Sequence, residues 1–241
     1  MVDMAGKTYW IVGASEGLGR ELAYLLDAAG ASLLLSARNA ERLESLCAEL
    51  RDARALPFDV TDAEAAAAAC DAAGKIDALV YNAGAYDPMS TQDWDRDAAL
   101  GIVEVNLMGA MRILGDVVPA MAKRGAGDIT LIGSLAGYRG LPASIGYSAS
   151  KAGVISLAET MRFDLKGTGV CVRVVNPGFI KTRLTDKNTF KMPQIMTPET
   201  AADRVFKAMQ RKRFRTDFPK PFAWVIRVID LLPDWVVYRG K

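Results

Sequence analysis

The chain has 241 residues, 51% hydrophobic and 24% charged, with 30 Lys/Arg against 28 Asp/Glu; this is an ordinary globular composition that excludes disordered, collagen-like and coiled-coil architectures. It contains no histidine, which removes Ser-His-Asp and Cys-His nucleophilic catalysis, HExxH metalloprotease chemistry and nearly all catalytic zinc sites, so no metal is expected. Proton transfer near neutral pH then falls to a carboxylate, Lys, Tyr or Cys with a displaced pKa.

In chain order, the first strand-like run is Thr8–Val12, followed by the turn Gly13-Ala14-Ser15-Glu16-Gly17-Leu18-Gly19 and a helix running to about residue 29. Further apolar runs at Ser32–Ser36, 55–58, Ala78–Tyr81, 129–132 and 170–175 alternate with helical stretches. Continuous apolar strands separated by helices predict an α/β fold, a Rossmann-type doubly wound parallel sheet of about seven strands with helices on both faces. Asn39 is placed to cap a helix from Ala40, and Thr61 or Asp62 to cap the alanine-rich helix Ala63–Ala73, which Gly74 ends. With no linker and no repeat, 1–241 reads as one domain.

Glycines at a strand-to-helix turn let the backbone approach a pyrophosphate, while the helix N-terminus supplies free N–H donors. Gly13, Ser15, Gly17, Leu18 and Gly19 are therefore read as a dinucleotide-binding loop. The second strand ends Ser36-Ala37-Arg38-Asn39 without a carboxylate. An acid there would accept the ribose hydroxyls, whereas the planar guanidinium of Arg38 suits a 2′-phosphate, so NADP(H) is favoured over NAD(H). Glu16 argues in the opposite direction. Tyr147 and Lys151 lie four apart at the start of a predicted helix and so address one volume. A positive neighbour favours the phenolate.

Taken together, these motifs make the chain resemble the short-chain dehydrogenase/reductase family in its compact single-domain branch, over roughly residues 7–182. The resemblance adds Asp59 and Val60 at the adenine, the motif Asn82-Ala83-Gly84 after the fourth strand, and Asn106 as the family's catalytic Asn in the fourth helix. It adds Ser134 at the end of the fifth strand, and Pro177, Gly178, Ile180 and Thr182 as the turn holding the nicotinamide carboxamide after Asn176. It implies hydride transfer between the nicotinamide and a carbonyl carbon, with Tyr147 moving the proton and Ser134 binding the carbonyl oxygen. Lys151 would lower the Tyr147 pKa and hold the nicotinamide ribose, and Asn106 would hold a water linking Lys151 to solvent. Two departures stand out: Val12 replaces the usual Thr, removing a hydrogen bond from the glycine loop, and Gly133 replaces a frequent second Ser. The alternatives are a non-catalytic dinucleotide-sensing or scaffold protein of the same fold, and a sugar-nucleotide epimerase, for which the chain after Thr182 is too short.

By the same resemblance, 179–197 forms a substrate lid. Its Leu184, Phe190, Met192, Ile195 and Met196, with Tyr138, Leu141 and Ile145 from before Tyr147, are candidate apolar walls for a hydrophobic carbonyl or alcohol substrate. A homodimer or homotetramer is implied, built on the helices around 97–123 and 147–166. A basic and apolar extension follows from 213 to 241. Between 207 and 227, seven Lys/Arg face one acid, Asp217. Then Phe222, Val225, Ile226, Ile229 and Leu232 form a helical stripe, with Trp224, Val228 and Leu231 widening it and Arg227 and Asp230 on a polar edge. Such a segment covers its own domain or a subunit interface, contacts a membrane peripherally, or covers the substrate; no aromatic stacking platform points to nucleic acid. Three dispersed cysteines without CxxC spacing, no signal-like segment and no uncharged apolar run of about 18 residues indicate a cytoplasmic protein, membrane-associated at most.

Overall fold

The structure is a computed structural model and describes residues 3–188, 190 and 192–237. Seven parallel strands, β1 (Thr8–Val12), β2 (Ser32–Ser36), β3 (Ala53–Ala55), β4 (Ala78–Tyr81), β5 (Gly127–Ile132), β6 (Val170–Pro177) and β7 (Arg215–Phe218), lie in the order β3-β2-β1-β4-β5-β6-β7. The helices are α1 (Gly17–Ala28), α2 (Ala40–Ala48), α3 (Ala63–Ala73), α4 (Arg96–Val103), α5 (Gly109–Arg124), α6 (Ile145–Asp164), α7 (Pro198–Met209), α8 (Lys220–Leu231) and α9 (Asp234–Val237). Alternate strand residues feed two cores. Tyr9, Ile11, Leu33 and Leu35 pack with Leu22, Leu26 and Val205 of α1 and α7, while Trp10, Leu34 and Leu79 pack with Ile113 and Val154 of α5 and α6. Helices on both faces explain why the strands read as unbroken apolar runs, and the fold is the expected Rossmann-type α/β class.

The predicted caps form. Asn39 Oδ1 accepts from the Arg42 amide at 2.8 Å, and Asp62 Oδ1 from the amides of Glu64 and Ala65 at 2.9 and 3.0 Å. The third strand differs from its expected position at 55–58: ladder pairing covers only Ala53–Ala55. Leu56 and Phe58 still donate to the carbonyls of Leu35 and Ala37, at 2.8 and 3.1 Å, so the chain stays beside β2 past the paired residues, with Pro57 between them on the edge that faces away from β2.

Strand order reverses between β1, which leads outward to β2 and β3, and β4, which begins the other half of the sheet. Ligands of such sheets bind in the crevice beyond the carboxyl ends of the strands at this switch point. One continuous helical stretch, Arg96–Arg124, is long and apolar enough by composition to cross a membrane. Here it is a core helix, with Ala110, Ile113, Leu114, Val117 and Met121 buried against the sheet and its neighbours.

Candidate active site

At the carboxyl ends of the strands lies a cleft of about 930 Å³ that runs from the glycine loop to Tyr147 and on to the C-terminal helix α8. Its loop end is built on glycines for steric reasons. Gly13 sits at φ +95°, and a Cβ there would come within 2.7 Å of the Ala83 Cα; Gly19 faces the Gly13 carbonyl with no space for a Cβ. Gly19 therefore shapes the loop without lining the cleft, whereas Gly13, Ser15, Gly17 and Leu18 line it. The hydrogen bond expected to be lost with Val12 is replaced. The Gly13 and Ala14 amides donate to the Ser36 carbonyl at 2.7 and 3.0 Å, and Asn82 Nδ2 donates to the Gly13 carbonyl at 2.7 Å. Asn82 thus braces the loop as well as lining the cleft. This close-approach cradle at the N-terminus of α1 fits a pyrophosphate.

At the outer end, Arg38 is 75% exposed, with its guanidinium 3.9 Å from Asp59, whose carboxylate accepts from the amide and hydroxyl of Thr61 at 2.9 and 2.8 Å. Glu16 is engaged on both sides, with Arg42 at 2.7 Å and Arg183 at 2.8 Å. Its negative charge is therefore balanced by two cations that sequence reading did not assign. The signal for Arg42 was its spacing: it stands four residues after Arg38, on the first turn of the helix that Asn39 caps.

The chemical end brings Ser134, Tyr147 and Lys151 together. Ser134 closes β5 and accepts from the Ala136 amide at 3.1 Å, and Tyr147 and Lys151 stand one turn apart at the start of α6. Lys151 Nζ donates to the Ile132 carbonyl at 2.8 Å and lies 5.8 Å from the Tyr147 ring centroid. Burial pushes the Tyr147 phenol above its ordinary pKa, partly offset by its hydrogen bond with Ser134, and burial brings the Lys151 ammonium down to about 8. The Lys151 ammonium is thus directed at a main-chain carbonyl while standing over the edge of the site beside the phenol. Gly133, where a second Ser was the frequent alternative, has no space for a side chain because Asn176 Oδ1 occupies the Cβ position.

Asn106 is fully buried, away from the cleft lining, in a π-helical turn (Glu104–Met108) between α4 and α5. Its Oδ1 accepts from the Ala85 amide at 2.7 Å, and its Nδ2 donates to the Ala85 carbonyl at 3.0 Å and to Ser150 Oγ at 2.9 Å. Both ends of the amide are thus engaged with protein atoms. These bonds join the loop after β4 to α6, from a π-turn, a geometry frequent at functional sites.

Around this centre, Asp59, Val60, Ala83, Gly84, Pro177, Gly178, Ile180 and Thr182 all line the cleft. Of the expected apolar walls, Leu141, Leu184 and Phe190 line it, while Tyr138, Ile145, Met192, Ile195 and Met196 do not. Ile145 packs on Met89, Ala99 and Ile102; Met196 is buried against the α1 and α7 core; Tyr138 hydrogen-bonds Asp217 at 2.8 Å. Three aromatic residues of the wall, Tyr86, Phe179 and Phe222, were not among those expected. Tyr86 meets Tyr147 edge-on at 5.0 Å and donates to Asn188 Oδ1 at 2.7 Å, and Phe222 of α8 stacks on Phe179 at 5.8 Å, with Phe190 on the other side of Phe179. The lid segment is further tied down by Lys187 and Asp87 at 2.9 Å.

The short chain dehydrogenase family model matches residues 7–192. The chain belongs to the short-chain dehydrogenase family. It is 36% identical to an uncharacterized oxidoreductase of Myxococcus xanthus over 97% of this chain and 96% of that one. It is 35% identical to the ketoacyl reductase HetN of a Nostoc species, covering 88% and 78%. A short-chain dehydrogenase from Burkholderia cenocepacia, solved in complex with NADP, superimposes with a TM-score of 0.84 at 26% identity, covering 96% and 100%. The protein is thus an NAD(P)-dependent oxidoreductase of this family.

Proposed function

We propose that this short-chain dehydrogenase is an NADP(H)-preferring enzyme that interconverts a carbonyl and a secondary alcohol on a hydrophobic small molecule. The observation that carries the reading is a single cleft in which the glycine cradle and Arg38 lie at one end, Ser134, Tyr147 and Lys151 at the centre, and the aromatic wall Phe179, Phe190 and Phe222 beyond. When bound, the nicotinamide supplies or accepts the hydride. Gly13, Ser15, Gly17 and Leu18 would hold the pyrophosphate, Asp59, Val60, Asn82, Ala83 and Gly84 the adenosine side, and Pro177, Gly178, Ile180, Thr182 and Lys151 the nicotinamide side. Tyr147, whose pKa burial raises above its ordinary value, donates the phenolic proton to the carbonyl oxygen during reduction and recovers it from the alcohol during oxidation. Ser134 donates a hydrogen bond to the same oxygen and stabilises its developing charge. Asn106 positions these groups through Ala85 and Ser150. The ketoacyl reductases among the relatives favour a 3-oxo group on the substrate.

The reaction is tested by following NADPH consumption with aliphatic ketones and 3-oxoacyl thioesters of increasing chain length. Phe222→Ala is expected to lower kcat/KM roughly tenfold for long-chain substrates and less than twofold for short ones, since a lost apolar contact is worth about 1–3 kcal/mol. Nucleotide titration tests the cofactor. Arg38→Ala is expected to weaken NADPH binding about 10- to 100-fold, the value of a charged hydrogen bond of about 1.5–3 kcal/mol, and to leave NADH within about twofold. Equal losses for both nucleotides would count against Arg38 as the 2′-phosphate ligand. Binding of both nucleotides without turnover of any ketone would favour the sensor reading.

The same reading includes a homo-oligomer built on the α4–α5 and α6 surfaces, which leave Leu100, Met111 and Phe163 exposed. It also includes residence in a reducing, cytoplasmic compartment, in keeping with Cys47, Cys70 and Cys171 as free thiols.

A further inference from the structure

The C-terminal helix α8 is apolar on two opposite sides, and only one side is covered. Toward the protein, Phe222, Ala223 and Ile226 pack on Leu135, Tyr138 and Leu141. Toward solvent, Trp224, Val228 and Leu231 recur at i, i+4 and i+7, the spacing of a single helical stripe, and are 68%, 57% and 84% exposed. Trp235 in α9 is a further 66% exposed. A patch of this kind marks an interaction site, and the charges nearby indicate its partner.

Lys220 and Arg227, seven residues apart, stand on one edge of the outer stripe, both exposed; Arg227 is paired with Asp217 at 3.5 Å, which leaves Lys220 as the cation at the stripe's outer edge. The sequence from 207 onward is basic, with nine Lys/Arg against three acids, although Lys207, Arg215 and Arg227 are paired with Asp203, Glu159 and Asp217. One of those acids, Asp217, is largely buried in its network with Tyr138, Asn176 and Arg227 and offers little negative charge to the surface. Lys220 has an ammonium at the N-terminal end of the stripe, where it can reach outward along its aliphatic stem. Exposed tryptophans beside an apolar stripe, bordered by lysine and arginine, match the chemistry of a bilayer interface: ring bodies at the acyl boundary, cations at anionic headgroups. A second copy of this chain would present the same positive edge to itself.

We propose that the outer face of α8, continued by Trp235, docks this protein on anionic lipid surfaces. The inner face of the same helix places Phe222 in the wall of the substrate cleft. If the reductase reading above holds, docking puts the apolar end of that cleft next to the lipid phase, and the substrate class narrows to lipid-soluble carbonyl compounds. The docking itself does not depend on that reading.

The test is co-sedimentation of the full chain with vesicles of phosphatidylglycerol and phosphatidylcholine, or of phosphatidylcholine alone, at low and high salt. The expected result is binding to the anionic vesicles that weakens with salt, falls at least tenfold in the triple variant Trp224→Ser, Val228→Ser, Leu231→Ser, and falls several-fold in Lys220→Glu. Both variants should keep the thermal midpoint and NADPH affinity of the parent, since every altered side chain is on the uncovered face. Absence of binding to anionic vesicles at low salt, or equal binding by parent and triple variant, overturns the proposal. So does light scattering that shows the triple substitution dissociating an oligomer that itself does not bind vesicles, because the face would then be a subunit contact. Vesicle binding with no ketone turnover would uphold the docking surface and overturn only the reductase reading.

Discussion

Tyr147→Phe is expected to reduce kcat for carbonyl reduction by about 10²–10⁴-fold, the usual contribution of a positioned general acid, with NADPH affinity within about threefold of the parent. The phenyl ring keeps the edge-on contact with Tyr86 at 5.0 Å, so the fold should tolerate the change and only the proton donor is lost. The pH dependence follows from the direction of the shift. Burial raises the phenol's pKa, so Tyr147 is protonated through the neutral range and the proton needed for reduction is in place there. Alcohol oxidation needs the phenolate, so its kcat/KM should climb with pH at a slope of about one per unit across the same range. Tyr147→Phe should flatten that climb. Rate measurements in both directions from pH 6 to 10 check this; an unchanged profile in the Phe variant would place the proton transfer on another group.

Lys151→Met is expected to abolish detectable turnover and to change how stability depends on pH. In the folded protein burial brings the ammonium down to about 8, against an ordinary value of 10.5. Between those limits the unfolded chain binds more protons than the folded one, so the parent's stability rises as pH increases through this window; below about pH 8 the cost of the buried charge is fully present. That cost is on the order of 3 kcal/mol. Removing the side-chain nitrogen relieves it but leaves the Ile132 carbonyl without its 2.8 Å donor, a loss of about 1–3 kcal/mol. Near pH 7 the two effects roughly cancel, and Lys151→Met should be about as stable as the parent. By pH 10 the parent has gained stability and the variant has not, so urea titrations of the two should diverge by up to about 3 kcal/mol. Parallel curves would show that Lys151 is not desolvated as the geometry implies. The residue is thus held in the site at a cost to the fold.

Much of this architecture was legible in the residues because it is written locally. Strand after strand is apolar at consecutive positions, as burial between two helical layers demands, and Asn39, Asp62 and Gly74 mark helix ends through hydrogen bonds and φ values that depend on near neighbours alone. The glycine loop was legible because steric exclusion at Gly13 and Gly19 leaves no other residue type. What escaped depends on contacts between distant segments. Tyr86 became a wall residue only when the loop after β4 met the lid 102 residues later at Asn188, and Arg42 and Arg183 joined the cofactor end only through Glu16. The amide of Asn106 carries no sign in the sequence that it will be taken up by Ala85 and Ser150.

The tail shows the same division. Its apolar and basic composition was plain from residues 207–241, but periodicity could not say which side of α8 the protein would cover, since both sides are hydrophobic. Packing decided it, turning Phe222 and Ile226 inward and leaving Trp224, Val228 and Leu231 in solvent. By itself, then, the sequence determined the fold class, and residue type at short spacing marked the glycine loop and the Tyr147 and Lys151 pair, whereas Ser134 entered only through the family resemblance. The direction of the Tyr147 pKa, the clamp made by Asn106 and the exposed face of α8 were decided only by the tertiary structure, because desolvation and coverage are properties of what the rest of the chain places around a side chain.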